Sequence, residues 1–157
     1  MSTMRQTLRR FLGRSEMGIE GVAAIEFAIF APVLIFMMLC VLDLGIGIYR
    51  KMQVQNAAQA GAEYAMVHGF TAALVSSAAL STTSFSGISA SPSPIQFCGC
   101  ASSTGVTSIA CNSTCSGGST PGTYITVSTQ GTYNTLFSYP SMPTTFNFTA
   151  QSTVRIK

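Results

Sequence analysis

The chain has 157 residues, of which 47% are hydrophobic and only 8% are charged, and its formal net charge is +3. Ordinary soluble domains carry roughly 25% charged residues, so the composition argues against a uniformly soluble enzyme, and the scarcity of clustered Lys and Arg argues against binding to nucleic-acid phosphates. The length suits one small domain plus a membrane element.

The charges are concentrated at one end. Arg5, Arg9, Arg10, Arg14, Glu16 and Glu20 occupy an N-terminal arm, Arg50, Lys51 and Glu63 come next after a long apolar run, and no Asp, Glu, Lys or Arg occurs from Tyr64 to Val154. The apolar run, GVAAIEFAIFAPVLIFMMLCVLDLG, extends from Gly21 to Gly45. Its uncharged centre, Phe27 to Leu42, together with Val22 to Ala24 and Leu44 to Tyr49, gives a helix able to cross a hydrocarbon layer about 30 Å thick. The pattern predicts a single transmembrane helix over residues 22–49. Pro32 is tolerated in such a helix, with a kink expected at the freed carbonyl. Four arginines precede the helix, so the positive-inside rule places the N-terminus in the cytoplasm and everything past about Tyr49 outside. Cys40 reads as a small apolar residue within the span. Asp43 reads as a carboxylate reaching the outer membrane boundary.

Glu26 is the anomaly. A carboxylate at the cytoplasmic edge can reach the headgroups, but nearer the bilayer centre it costs about 2.5–3.5 kcal/mol and then calls for a partner. Spacing offers one: a cut after Gly21 would place a new α-amino group on Val22, four residues before Glu26 and on the same helical face. That amine, with a reference pKa near ~8, is mostly protonated at neutral pH and would pair with Glu26 in its own chain or in a neighbouring copy.

Gly21, the four residues Val22 to Ile25, Glu26 and the aromatic Phe27 resemble the processing motif of prepilins and pseudopilins in Flp (Tad) type IV pilus systems. More particularly, the segment is similar to the N-terminal segment of TadE-like pseudopilins, in which an E-[FY]-A-x-x-x-P core opens the membrane helix. Here that core is Glu26, Phe27, Ala28 and Pro32. The resemblance implies cleavage after Gly21 by a prepilin peptidase and a role for Glu26 in subunit assembly. It also implies, as partners, other Tad pilins and pseudopilins, an inner-membrane assembly platform and the lipid bilayer. Gln53 to Gly69 resembles the alanine-rich helix that follows the span in this family, and FTAQSTVRIK at the C-terminus resembles its closing strand. Two departures stand out: Gln59 and Glu63 occupy positions where the family often has arginine, and the motif aromatic is Phe27 rather than tyrosine.

The residues themselves support a helix from Gln53 to Val67, since Ala57, Ala58, Ala60, Ala62 and Ala65 are strong helix formers. Gly61 weakens that helix by about 1 kcal/mol relative to alanine, and its small neighbours would let a second helix approach closely. Gly69 is the predicted stop. Beyond it the chain is rich in Ser and reads as loop, with a short helix available to Ala72 to Leu80. Two strands are predicted, TYITVSTQ and FNFTAQSTVRI. In the second, Phe146, Phe148, Ala150, Ser152, Val154 and Ile156 share one face.

Cys98, Cys100, Cys111 and Cys115 lie within eighteen residues, and an exported compartment favours their oxidation. A Cys98–Cys100 bridge would be the most strained, which favours crossing or nested pairs between the two couples. A four-thiolate zinc site is the competing reading, against which stands the unusual C-x-C spacing. Catalysis is not expected, because His68 is the only group after Glu63 with a reference pKa near neutrality and no carboxylate follows to orient it. No metal or other cofactor is expected.

The fold class expected is α+β: a long N-terminal membrane-spanning helix, then a small antiparallel β-rich exported domain with disulfides. The corresponding segments are a basic leader (1–21, cleaved), the transmembrane helix (22–49), a stalk (50–69) and a Ser/Thr-rich exported domain (70–157). The function expected is that of a minor pseudopilin, single-pass in the bacterial inner membrane, acting in pilus assembly and surface adhesion. The alternative is a small disulfide-bonded binding protein with an ordinary anchor, or with a signal peptide cut near Gly45 to Gly47.

Overall fold

The computed structural model describes residues 19–139 and 143–157, so most of the predicted leader lies outside the described residues. The chain divides into two compact units, one ending at Leu42 and one running from Asp43 to Lys157. A single uninterrupted helix, α1 (Ile19–His68), supplies the described part of the first unit and the opening of the second.

In the first unit α1 combines Ala, Leu and Met, which lose little freedom on becoming helical, with Ile, Val and Phe, whose β-branched or aromatic side chains lose more. Its large side chains from Val22 to Leu42 are largely exposed, and none of the residues in its most apolar window is buried. Among the described residues this is the one helix long and apolar enough to cross a membrane.

In the second unit α1 behaves differently. Val54, Ala57, Ala58, Gly61, Ala62 and Ala65 recur at three- and four-residue steps and form its buried stripe. α1 ends at Gly69, whose φ of +81° suits glycine and whose N–H donates to the Ala65 carbonyl at 3.0 Å. A second helix follows at once, α2 (Ala72–Ser81). Its hydroxyls are satisfied on its own backbone: Ser76 donates to the Ala72 carbonyl at 2.8 Å and Ser81 to the Ala78 carbonyl at 2.9 Å. A Ser-rich stretch can therefore be helical while burying only Val75 and Ala79. Those two residues meet α1 at Gly61, where an added Cβ would lie 3.0 Å from both the Ala79 Cβ and the Val127 Cγ1. The close approach of a second helix that the small residues at Gly61 permit thus occurs within the chain, where continuation of the stalk alone was the favoured expectation.

The remaining elements build a five-stranded antiparallel sheet. They are β1 (Ile88–Ser89), β2 (Ile95–Ser102), β3 (Gly105–Ser108), β4 (Gly122–Asn134) and β5 (Thr145–Arg155). β4 is central: β5 pairs along its length, from Tyr124 with Arg155 to Asn134 with Thr145, while β2 and β1 share its opposite edge. β3 closes the far side of β2. Both strands predicted from sequence are present, and the alternation foreseen in the last is exact, since Phe146 through Val154 at every second position are the half-buried residues of β5. The Ser-rich stretch 76–94 reads as loop from sequence, but β1 lies within it, and β2 and β3 follow in 95–108, where no strand is predicted.

The inward face of the sheet places Ile125 and Val127 against Ala62, Ala65, Val75 and Ala79, with Tyr64, Phe70, Val154 and Ile156 around them. A second cluster joins Val54, Ala57 and Ile88 with Phe85, Phe148 and Ala150. Burial of each Val or Ile side chain here contributes roughly 1.5–3 kcal/mol. The Arg50 guanidinium stacks 4.0 Å above the Phe85 ring, giving this cation a partner at the rim of the core.

β4 descends α1 toward the helix N-terminus. Val127 lies at Gly61, the Thr129 hydroxyl donates to the Val54 carbonyl at 2.7 Å, and the Tyr133 ring lies 3.5 Å from the position of a Cβ on Gly47. From Val127 to Tyr133 an extended strand covers about 20 Å, and from Gly61 to Gly47 a helix covers the same distance, so strand and helix stay in step.

Cys98 and Cys100 lie two apart on β2, so both sulfurs emerge on one face and cannot easily face each other. Each instead bridges to the loop after β3, Cys98 to Cys111 and Cys100 to Cys115, with Cα separations of 5.0 and 5.8 Å. This is the crossing arrangement among the pairings that sequence favoured. It leaves none of the four thiolates for zinc.

Candidate functional site: the N-terminal helix and its junction with the sheet

Gly21 and Val22 lie in the first turn of α1, and Glu26, Phe27 and Pro32 follow within the same helix. Val22 and Glu26 are four residues apart and therefore on one face. Glu26 is exposed, and Phe27 is 67% exposed. Pro32 has no N–H to donate to the Ala28 carbonyl, so one helical hydrogen bond is missing within the motif itself. From Val22 on, the motif residues are thus displayed along one exposed apolar rod. Such an arrangement suits side-by-side packing with lipid or with other helices.

The second unit opens on a feature that sequence reading missed. Asp43 was expected to reach the outer membrane boundary; instead it is only 3% exposed and is enclosed by residues ninety or more positions away. The Tyr133 hydroxyl donates to its Oδ1 and lies 3.3 Å from its backbone carbonyl, and the Leu136 N–H donates to the same Oδ1 at 3.2 Å. The Phe137 amide and the Tyr139 hydroxyl also act on this carboxylate. Burial, reinforced by the adjacent carboxylate, pushes the Tyr133 hydroxyl up to about 12. The contact ties the loop after β4 to α1 at the first residue past the uncharged run. A solitary acidic residue at the end of an apolar helix was the only available signal, and it could not name its partners.

The groups with titratable chemistry elsewhere are dispersed. His68 stacks on Tyr64 with ring centroids 4.4 Å apart, and its Nδ1 lies 3.4 Å from the Tyr64 carbonyl in the last turn of α1. That position favours a helix-terminal role. Among the described residues no three His, Cys, Asp or Glu side chains gather as metal ligands would.

No individual curated protein and no solved structure matches the chain. A family match does exist, and it covers the rod just described, its junction with the sheet and most of the buried stripe: residues 21–63 match the family model of TadE-like protein.

Proposed function

We propose that the chain is a minor pseudopilin of a Tad-type (Flp) pilus. It is held in the bacterial inner membrane by the apolar part of α1, with the N-terminus cytoplasmic and the sheet-bearing unit outside. A prepilin peptidase cuts it after Gly21, and the mature chain then takes part in pilus assembly and surface adhesion. The observation that carries this reading is where the family match begins: at Gly21, in the first turn of a helix whose apolar run is exposed, with a carboxylate five positions on.

The chemistry is that of assembly, not of turnover. Cleavage at Gly21–Val22 creates an ammonium on Val22. In a low-dielectric bundle that charge and the Glu26 carboxylate offset one another's desolvation, within one chain or between neighbours. The prepilin peptidase, other Tad pilins and pseudopilins, the assembly platform and the bilayer are the partners this requires. The signal-peptide alternative would cut near Gly45 to Gly47. α1 runs unbroken through that point, and such a cut would remove Asp43 from the hydrogen bonds that the rest of its unit makes to it. Both facts support an anchor that is kept.

Substituting Glu26→Ala tests the pairing. The variant is expected to insert into the membrane as the parent does while pilus formation falls sharply, and Gly21→Ala is expected to accumulate uncut chain. Normal piliation by Glu26→Ala would refute the pairing role.

A further inference from the structure

Ile125 and Val127 point from β4 into the core, so Tyr124 and Thr126 belong to the opposite face of the sheet, turned away from the helices. That face holds a groove of about 610 Å³, within the size range of small-molecule sites. Ile95, Thr126 and Thr153 are paired across β2, β4 and β5, and Phe97 is paired with Tyr124, so these side chains share the face. Gly99 shapes the groove: a Cβ there would lie 2.6 Å from Val106 Cγ1, and its absence lets Val106 lean over β2. The Phe97 ring is held by stacking on Tyr124, with centroids 5.9 Å apart. Ile95, Phe97 and Val106 thus make an apolar wall, of which Ile95 is left 56% exposed. Ser108, Thr126, Gln151 and Thr153 make a polar one.

The two walls restrict what fits between them. Among the described residues that line the groove there is no Asp, Glu, Lys, Arg, His or Cys. A phosphate or carboxylate ligand calls for a cation, and a metal ion for carboxylate, imidazole or thiolate. A hydrocarbon chain would strip water from the polar wall and return no hydrogen bond. The polar wall has bonds to give: the Thr126 and Thr153 hydroxyls meet at 2.8 Å, which uses one proton and leaves the pair another proton and spare lone pairs. Gln151 is exposed, and its amide both donates and accepts. We infer that this groove binds a neutral saccharide. One pyranose unit lies with its C–H face on Ile95 and Phe97 and turns its rim of hydroxyls to Thr126, Gln151 and Thr153. Every residue named here belongs to the sheet, so the site does not depend on α1 serving as an anchor.

The full chain is held in a phosphocholine detergent, which carries no sugar. Saturation-transfer NMR is recorded with the methyl glycosides of glucose, galactose, mannose and N-acetylglucosamine, and with that of galacturonic acid as the charged counterpart of galactose. Transfer to ring C–H protons of at least one neutral glycoside is expected, with a Kd in the millimolar range for so small a ligand. Gln151→Ala and Thr153→Val, both at exposed positions, are each expected to weaken binding several-fold. Gln130→Ala, exposed on β4 outside the groove, should leave it unchanged. The galacturonate should bind several-fold more weakly than galactose, because the groove offers its charge no partner. If no neutral glycoside shows transfer, the saccharide site is overturned. If transfer survives undiminished in both Gln151→Ala and Thr153→Val, the sugar binds elsewhere and the assignment to this groove is overturned. If the galacturonate binds as tightly as galactose, the neutral class of ligand is overturned.

Discussion

The two parts of α1 on either side of Asp43 share one backbone geometry and follow opposite rules of burial. From Val22 to Leu42 the residues are large and apolar, and they are exposed; from Val54 to Ala65 the buried residues are small, mostly alanine. The most hydrophobic segment is thus the least buried, the reverse of a soluble domain. The difference teaches that side-chain size, not hydrophobicity, separates a helix surface meant for lipid from one meant for a sheet. Lipid adapts to bulky side chains, whereas β4 and α2 can approach α1 closely only over alanine and glycine.

Bulk placed in the small-residue half is expected to do the most damage. Gly61→Leu must displace Ala79, Val127 and the Val75 carbonyl, which lies 3.3 Å from the added Cβ. A loss near the upper end of about 1–3 kcal/mol is expected in denaturant unfolding of the full chain in detergent. Gly45→Leu is the paired control. Nothing lies within 4 Å of a Cβ there, and little change is expected.

The boundary between the halves gives the next effect. Tyr133→Phe removes a buried donor from Asp43 and should destabilise the second unit by about 1–2 kcal/mol, read by the same unfolding measurement. An unchanged midpoint would mean that the loop does not depend on this bond.

The same tyrosine predicts a pH dependence. Its hydroxyl ordinarily titrates at 10.0 and is raised in the fold to about 12, so the folded chain keeps a proton that the unfolded chain releases. Its contribution is therefore complete below pH 10 and is lost as pH rises through about 12. A decline of order 1–2 kcal/mol across that window is expected in the parent and should be absent in Tyr133→Phe.

The smallest effect belongs to the lipid half. Leu34→Ala is expected to change the unfolding of the second unit by less than about 0.5 kcal/mol, because Leu34 is an exposed residue outside that unit. A large effect would show that the apolar half shares the domain's core.

What was legible in the sequence follows from what is local. The apolar run, the alanine stripe, the stop at Gly69 and the alternation of β4 and β5 depend on neighbours a few positions away, and each could be read directly. β2 was not legible, because Ile95–Ser102 has no clean alternation, and two cysteines and a glycine stand where β-branched residues would announce a strand. Its place is set by pairing with β4 and by bridges to Cys111 and Cys115. The pair Asp43 and Tyr133 was hidden for the same reason, since ninety residues separate its members. Within the proposed assembly motif, spacing alone could relate Val22 to Glu26, because both lie on one helix.

The N-terminal residue of the mature chain, purified from bacterial membranes and sequenced, tests the central claim most directly. The account predicts Val22. A chain that retains its leader, or one that begins near Ile48, would contradict it.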